Sequence, residues 1–321
     1  MRTATFNLEN LDLRPRGERA FTRHAAALKP LLDRASADVL CLQEVNAQKT
    51  DRHGPRTFLA LDRLIAGSRY EAFHRADSAA AESGGPRDVH NLIVLSRWPI
   101  VAKRRIQHDL VPAWRWVPPK SGRSDPRAIE ISWDRPILYC RIELPGGQLL
   151  HVLNLHLRAS RAPPVPRGKG RGGWRSTAAW AEGFFLAAQK QIGQALEARL
   201  LVDEIFNSEP SARIAVCGDM NADQHEMPVR LLCADAGEIG VAALASRSLA
   251  AIEDRLPPAR RYSVRHAGRP VLLDHLLASQ SLAQSCTGME IFNEDLADEA
   301  YAPRNSPGSL HAALVATFAV G

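Results

Sequence analysis

Short apolar runs that end in polar residues recur along this chain and constrain its fold more than any other feature. Short apolar runs bounded by turn residues are typical of buried β-strands, whereas apolar residues three or four positions apart indicate amphipathic helices. We predict strands at 2–6, 39–42, 91–96, 137–144, 149–157, 213–217, 271–278 and 311–319. We predict helices over 17–34 and within 177–206. The order strand, helix, strand at the start of the chain indicates an α/β protein.

The turn between the fourth and fifth predicted strands indicates that the sheet is not purely parallel. A Pro-Gly-Gly segment separates 137–144 from 149–157, and strands joined by so short a turn pair as an antiparallel hairpin. A mixed α/β sandwich therefore fits better than a doubly wound parallel sheet. The sequence contains no convincing domain linker and no internal repeat, so we expect residues 1–321 to form a single domain.

The composition excludes several classes of protein. The 321 residues are 45% hydrophobic and 24% charged, which is ordinary for a globular protein. No apolar run reaches the ~18 residues of a transmembrane segment, and the N-terminus lacks the apolar stretch of a signal peptide. Five cysteines are too few for a disulfide scaffold, so we expect reduced thiols and a cytoplasmic location. The formal net charge of +6 favours anionic partners such as nucleic acid, phosphorylated metabolites or lipid headgroups.

Polar side chains stand where the apolar runs end or begin, and in α/β sheets such positions carry the ligand-binding residues. The set consists of Asn7, Glu44, His156, Asp219, Asn221, Asp274 and His311, flanked by Asn154 and His275. Oxygen ligands of this kind suit Mg²⁺ or Mn²⁺, and no CxxC or HExxH motif indicates a zinc site. Amide and imidazole donors suit a phosphoryl transition state, and a carboxylate can activate water. Each residue alone is more often a cap, a turn residue or a satisfied histidine than a ligand, so the joint pattern carries the prediction.

Seven segments resemble motifs of one known family, in that family's order and over nearly the whole chain. They are TFNLEN (5–10), VLCLQEV (39–45), NLIVLSRWPI (91–100), LNLHL (153–157), CGDMNAD (217–223), LLDHLLAS (272–279) and SLHAALVATF (309–318). The family is the endonuclease/exonuclease/phosphatase superfamily, which includes deoxyribonuclease I, exonuclease III, neutral sphingomyelinases and inositol polyphosphate 5-phosphatases. The resemblance implies an α/β fold, a four-layer sandwich of two packed mixed β-sheets flanked by helices, with a divalent metal in a cleft at one edge.

The resemblance implies a metal site with one departure from the family pattern. Glu44 looks like the principal Mg²⁺ or Mn²⁺ ligand, and Asn7 beside it would touch the metal or the phosphate. Glu9 stands where some members carry a second metal-site carboxylate. The family usually has Ser-Asp-His near the end of the chain, but here Leu310 replaces the aspartate. This change implies weaker metal affinity, a substitute carboxylate or a degenerate enzyme, and we favour an active enzyme with an altered metal site.

The resemblance also implies residues that act on water and phosphate. Asp219 looks like the residue that positions or activates the attacking water, with Asn221 helping to orient it. His156 would donate to a phosphate oxygen. His311 would bind the scissile phosphate as a charged donor, oriented by Asp274. Either Asp219 or the His311–Asp274 pair would serve as the base.

Two Pro- and Gly-rich segments are predicted to be loops. Residues 158–176 form a basic segment that follows His156 and should overhang the cleft, where Arg158 and Trp174 would bind a phosphate backbone and stack on bases. Residues 112–127 hold two more tryptophans among basic residues. The same pattern suits an anionic membrane surface, or solvated loops whose tryptophans pack on the core.

We therefore predict a metal-dependent phosphoric ester hydrolase, a phosphodiesterase in which activated water attacks a P–O bond in line. The leading hypothesis is a nuclease, either endonuclease or exonuclease, with nucleic acid as its partner. The alternatives are a sphingomyelinase-like phospholipid hydrolase, a small phosphoester or inositol phosphate phosphatase, and a non-catalytic nucleic-acid-binding protein whose site degenerated through Leu310.

Overall fold

The computed structural model describes residues 1–13, 17–49, 51, 54–79, 85–118, 128–165, 168–170, 173–303 and 306–320. In these residues the α-helices are α1 (Gly17–Ala35), α2 (Leu59–Ile65), α3 (Thr177–Ser208), α4 (Met227–Cys233), α5 (Ala236–Ile239) and α6 (Gln280–Ala283). Single 3₁₀ turns lie at Arg69–Ala72, Pro145–Gly147, Ala242–Arg247, Ile252–Arg255 and Pro258–Arg260. None of the described helices is both long enough and apolar enough to cross a membrane.

The strands of the described residues are numbered in chain order. They are β1 (Arg2–Leu11), β2 (Val39–Val45), β3 (Gln48–Lys49), β4 (Arg56–Thr57), β5 (His74–Asp77), β6 (Asn91–Ser96), β7 (Ile100–Ile106), β8 (Trp114–Trp116), β9 (Ile129–Ile131), β10 (Ile137–Glu143), β11 (Leu149–His156), β12 (Lys169–Gly170), β13 (Gly173–Trp174), β14 (Arg213–Asp219), β15 (Leu249–Ala251), β16 (Val264–His266), β17 (Arg269–Val271), β18 (Asp274–Ser279), β19 (Cys286–Ile291) and β20 (Leu314–Phe318).

Twelve of these strands form two six-stranded mixed sheets. The first sheet has the order β19-β20-β1-β2-β6-β5, and the second has the order β15-β18-β14-β11-β10-β7. Each sheet contains one parallel pair, β1 with β2 and β11 with β14, among antiparallel neighbours. The remaining strands form small two-stranded ribbons. The predicted mixed α/β fold is confirmed.

Helices cover the outer faces of both sheets, which gives four layers. One core lies between the sheets and joins residues such as Cys41 and Val94 to Leu138 and Cys217. A second core packs α1 and α2 on the first sheet, and a third packs α3 and α4 on the second sheet. Because successive strand residues face opposite sides, every central strand supplies apolar residues to two cores at once. This requirement explains why the strands read as nearly continuous apolar runs.

The rows of side chains between the sheets change from apolar to polar toward one edge. On β11, Val152 lies in the core, Asn154 is fully buried beyond it, and His156 reaches the edge. On β14, Cys217 is in the core and Asp219 is at the edge. Residues two positions apart share a face of a strand, so each polar residue continues an inward-facing apolar row. The polar strand ends therefore meet in one place because the two sheets are stacked.

Several strand boundaries differ from the predicted ones. β1 continues through Asn7 and Glu9 to Leu11, because a bulge between Asn7 and Leu11 keeps the chain paired with β2. The strand predicted at 271–278 begins at Asp274, and the one predicted at 311–319 begins at Leu314. Asp274 therefore opens a strand, and His311 precedes one.

The two predicted loops contain short ribbons. β8 lies within 112–127 and pairs with β9, which follows that segment. Residues 119–127, between the two strands, lie outside the described residues. In the basic segment 158–176, β12 pairs with β13 over two residues each, and residues 166–167 and 171–172 lie outside the described residues. Short ribbons at these places agree with turn-rich sequence that cannot join a central sheet.

Candidate active site

An open cleft of about 560 Å³ lies at the edge where the polar rows end. Six of the predicted residues line it, namely Glu9, Glu44, His156, Asp219, Asn221 and His311. Two more, Asn7 and Asp274, are buried directly against these residues. Side chains that are more than two hundred residues apart in the sequence thus share one cleft, as the strand-end pattern predicted.

Two side chains, one from each sheet, converge on a pair of carboxylates. Asn7 Nδ2 donates to Asp219 Oδ2 at 2.9 Å and lies 3.5 Å from Glu44 Oε1. His156 Nε2 lies 3.3 Å from the same Asp219 oxygen and 3.7 Å from Glu44 Oε1. Asn7 and Glu44 come from the first sheet, and His156 and Asp219 come from the second. The centre therefore exists only when the sheets are packed together.

A histidine–aspartate pair forms the other wall of this centre. Asp274 Oδ2 lies 2.8 Å from His311 Nδ1, and His311 Nε2 lies 4.0 Å from Asp219 Oδ2. β18 pairs with β14 so that Asp274 stands opposite Asp219. Ser309 Oγ accepts from the His311 backbone N–H and donates to the Asn7 carbonyl at 2.7 Å. These contacts hold the His311 loop against β1.

The acid–base properties of the centre follow from burial and charge. Burial raises the pKa of Asp219 to about 7, against the opposing effect of His311. Burial alone would lower the pKa of His311, but Asp274 and Asp219 outweigh it and raise that pKa to about 10. Burial, reinforced by nearby Arg135, holds the pKa of His156 well below its usual value. Near neutral pH, His311 is charged, His156 is neutral, and Asp219 is poised to exchange a proton.

Backbone strain is concentrated around the cleft. Among the described residues, nine other than glycine have positive φ, and five of them lie here: Glu9, Asn10, Glu44, His90 and Asn221. A bulge between Leu42 and Val45 accompanies the turn at Glu44. Such conformations cost free energy and persist where they aim functional side chains. The clustering therefore supports a functional role for this edge and adds His90 to the residues of interest.

Glu9 is tied to the segment that departs from the family pattern. Its backbone N–H donates to Asn7 Oδ1 at 2.9 Å, and its Oε2 accepts from the Leu310 N–H at 2.7 Å. The Leu310 side chain lines the cleft. A carboxylate thus lies beside the position where the family usually has an aspartate, although it comes from β1.

Arg135 and His90 belong to the cleft but were missed in the sequence. Arg135 lines the cleft, and its Nη2 lies 3.3 Å from His90 Nδ1. His90 Nδ1 in turn lies 3.8 Å from Glu44 Oε1, and burial lowers the pKa of His90. The described residues place no carboxylate oxygen within 4.0 Å of the Arg135 guanidinium, so it is available to a bound anion.

Both missed residues precede strands, which is why an inspection of strand ends overlooked them. β6 is antiparallel to β2 and places Asn91 opposite Val45, so the start of β6 lies beside Glu44. β10 is likewise antiparallel to β11, so its start lies at the same edge as His156. A polar residue just before a strand that pairs antiparallel with a site strand was the signal that could have identified them.

Three residues predicted to bind substrate lie elsewhere. Asn154 is fully buried between the sheets, because it stands one pleat deeper than His156 on the same face. Arg158 Nη1 donates to Asp134 at 2.8 Å, and Lys190 binds the other oxygen of that carboxylate. Trp174 packs against a small hydrophobic cluster. For these positions the structure supports structural roles.

Two groups in the cleft have the ligand atoms for a metal ion. Glu44, His90 and His156 form one group, and Asp219, Asp274 and His311 form the other, each with its atoms within 4.8 Å of one another. The Glu44 carboxylate is partly exposed to the cleft, and the described residues place only imidazoles within ion-pair distance of it. Both imidazoles have lowered pKa values, so among the described residues no charged cation lies within 4.0 Å of the carboxylate. The first group therefore fits a cation better than the second, in which His311 is itself charged.

The fold and the cleft define a class of protein, namely a two-sheet α/β sandwich with a carboxylate–histidine centre at one edge. The model of the endonuclease/exonuclease/phosphatase family matches residues 4–298. The chain therefore belongs to this family, whose members are metal-dependent phosphoric ester hydrolases, and the predicted family and enzyme class are confirmed.

Solved structures agree with this fold. Truncated TDP2 of Caenorhabditis elegans is 15% identical, with a TM-score of 0.57 over 99% of this chain and 98% of that chain. An AP endonuclease from Archaeoglobus fulgidus is 16% identical, with a TM-score of 0.52 over the full length of both chains. The 3′ phosphatase NExo from Neisseria, bound to a product DNA hairpin, is 16% identical, with a TM-score of 0.52 over 99% of each chain. No curated protein matches this chain significantly.

Proposed function

We propose that this protein is a nuclease, a metal-dependent phosphodiesterase in which water attacks a P–O bond in line. The observation that carries the proposal is the convergence of Asn7, Glu44, His156, Asp219 and His311 in one cleft. This set combines a carboxylate of raised pKa, a charged imidazole and a neutral imidazole within a few ångströms. Phosphoryl transfer needs these three kinds of group, to accept a proton and to stabilise spreading negative charge.

Glu44 is the residue best placed to hold the metal, which we propose to be Mg²⁺ or Mn²⁺. Its carboxylate faces the cleft, the described residues place no charged cation within 4.0 Å of it, and oxygen donors suit hard divalent ions. Asn7 lies 3.5 Å from this carboxylate and Glu9 lines the same cleft, and these two residues complete the predicted ligand set. A divalent cation bound there supplies charge stabilisation to the phosphoryl oxygens.

Asp219 is the proposed base, and His311 the proposed phosphate donor. The backbone N–H of Asn221 and the amide of Asn7 each hold one oxygen of Asp219 at 2.9 Å, which fixes the carboxylate toward the cleft. With a pKa of about 7, Asp219 accepts a proton from water near neutral pH. His311 stays protonated at that pH and donates to a phosphate oxygen, while Asp274 holds its ring.

Nucleic acid is the proposed substrate because cations line the approach to the centre. Arg135 and Arg161 both line the cleft, Arg161 at 3.3 Å from the Glu299 carboxylate, and phosphodiester backbones bind to such guanidinium groups. The Neisseria structure, with its bound DNA hairpin, adds support for a nucleic acid in a cleft of this fold. A polynucleotide would place one phosphate at His311 and its neighbours along the arginines.

A substrate panel tests the proposal. DNA, RNA, a phospholipid and sugar phosphates are each incubated with Mg²⁺, Mn²⁺ or a chelator. We expect a polynucleotide to be cleaved with either ion and not with the chelator. Glu44→Ala should lower turnover at least about a hundredfold, since it removes transition-state charge stabilisation. Glu143→Gln is the matched control, because Glu143 is exposed at the opposite end of β10 from Arg135.

The outcomes separate the alternatives. Hydrolysis of phospholipid or sugar phosphates alone would favour those substrates and reject the nuclease. Polynucleotide binding without hydrolysis of any phosphoester, unaltered in Leu310→Asp, would favour a degenerate binding protein. Near wild-type turnover in folded Glu44→Ala would reject the metal assignment.

A further inference from the structure

An exposed aromatic surface lies on the N-terminal half of α3. Trp180 and Phe184 are 47% and 42% exposed and stack on one another with ring centroids 5.4 Å apart. Phe185, 41% exposed, contacts Trp116, and Trp114 on the same face of β8 is 48% exposed. Large exposed apolar surfaces on a folded protein mark binding sites. We call these five residues the aromatic platform.

The platform is joined to the cleft by the same helix. Gln191 of α3 donates to the carbonyls of Met220 and Asn221, which places that turn of the helix at the active site. Phe184 lies seven residues earlier, about 10 Å along the helix axis. The chain segment that leaves the cleft at Arg161 also reaches α3, where the Pro163 carbonyl packs against Gly183. A polymer that extends from the cleft along α3 would therefore meet the platform.

The net positive charge of the chain is concentrated in the same segment. Residues 158–193 contain seven Lys or Arg and one Asp or Glu, so their net charge equals the +6 of the whole chain. The rest of the chain holds 34 residues of each sign, because the totals are 41 and 35. Among the described cations of this segment, Arg158 and Lys190 contact Asp134, and Arg161 lies 3.3 Å from Glu299, so these carboxylates offset part of the attraction to a polyanion.

We propose that the aromatic platform binds a single-stranded segment of nucleic acid that continues from the active-site cleft, with bases stacked on its rings. This inference rests on the proposed nuclease function. A polynucleotide held in the cleft carries flat bases that can stack on the exposed rings of α3, and stacking on aromatic side chains tolerates any base sequence. Glu182 accepts from Trp116 Nε1 at 3.0 Å, which holds the Trp116 ring against α3.

The test uses binding without turnover. The affinity of a fluorescently labelled single-stranded oligonucleotide is measured by anisotropy in chelator, for the full chain and for the double variant Trp180→Ala/Phe184→Ala. We expect the variant to bind about tenfold more weakly or worse. When Trp180 is replaced by Tyr instead of Ala, most of the affinity contributed by position 180 should be retained, since a ring remains for stacking. Leu200→Ala, a 38% exposed position on the distant half of α3, is the control and should bind like the wild type.

Hydrolysis of bis(p-nitrophenyl) phosphate separates this inference from the proposed function, since so small a diester cannot span the cleft and the platform. Loss of oligonucleotide binding in the double variant supports the platform, whether or not the diester is hydrolysed. Unchanged oligonucleotide binding by the double variant overturns it. Binding to phosphatidylserine vesicles that depends on Trp180 and Phe184, with unchanged oligonucleotide affinity, overturns it in favour of a membrane surface. Circular dichroism melting of each variant verifies that it is folded.

Discussion

The charge on His311 is set by its neighbours, and it determines how activity depends on pH. Asp274 and Asp219 raise the pKa of His311 to about 10, and the charged ring is the proposed phosphate donor. As the pH rises through that value, the donor loses its proton and activity falls. In Asp274→Asn the principal raising charge is gone, so the pKa of His311 decreases and activity is lost at a lower pH. We expect the alkaline limb of kcat/KM, measured from about pH 6 to about pH 11, to move toward neutrality.

A control makes this prediction specific to the histidine–aspartate pair. Asp298→Asn removes an exposed carboxylate that accepts backbone N–H groups in a turn, and it should leave the alkaline limb in place. An unmoved limb in Asp274→Asn would show that His311 does not act as a charged donor. A shift of the low-pH limb alone would report on Asp219, whose pKa Asp274 also raises, and would likewise reject His311 as the charged donor.

Arg135 and His90 should contribute to substrate affinity. Arg135→Ala removes a cation from the cleft wall, and hydrogen bonds between charged groups are worth about 1.5–3 kcal/mol, so KM for the cleaved substrate should rise about 10- to 100-fold. His90→Ala removes the acceptor beside the guanidinium and one imidazole of the candidate metal group with Glu44, so at saturating divalent ion its effect on KM should be smaller and in the same direction. Steady-state kinetics checks both, with Arg141→Ala on β10 as the control. A larger effect of His90→Ala than of Arg135→Ala would indicate that His90 acts directly.

Among the elements, β14 shows why a glycine precedes Asp219, the proposed base. Gly218 has φ +139°, and a Cβ there would lie 1.9 Å from the Leu155 carbonyl of the parallel neighbour β11. Gly218→Ala should therefore lower the free energy of unfolding by about 3 kcal/mol or more and also displace Asp219. In Gly288→Ala the nearest atom is 3.9 Å away, so the change should stay below about 1 kcal/mol. Urea denaturation compares the two, and equal midpoints would contradict the steric argument.

The strands were predictable from sequence because apolar runs directly reflect burial, but their details were not. Asn7 and Glu9 fell outside the predicted first strand, since a bulge is a property of pairing and leaves no periodicity in one strand. Asp274 was found as a strand end although it begins β18, because only the antiparallel register places a strand start beside Asp219. Arg135 was missed for the same reason. Sequence patterns locate elements, whereas register decides which neighbouring residues reach the site.

At the scale of the whole molecule, the active site is a product of sheet packing. Asn7 and Glu44 belong to one sheet, and His156, Asp219 and Asp274 belong to the other. The predicted role of Asn154 in substrate binding depended on its position along one strand, and a single strand cannot indicate how deep a residue lies between two sheets. Its depth becomes visible only in the packed structure, where it links the sheets beneath the cleft.

Asn154 should stabilise the packing of the sheets rather than bind substrate. Its Oδ1 accepts from Gln43 Nε2 at 2.7 Å, and its Nδ2 donates to the carbonyls of Leu42 and Ile93, all in the opposite sheet. Asn154→Leu removes these links from a buried site, so the free energy of unfolding should fall by about 1–3 kcal/mol. The urea midpoints of activity loss and of unfolding, the latter followed by fluorescence, should both decrease, because the site is lost when the two sheets separate. Asn207→Leu, at an exposed position, should change the midpoint little. Loss of activity in Asn154→Leu with an unchanged unfolding midpoint would instead restore the role in substrate binding.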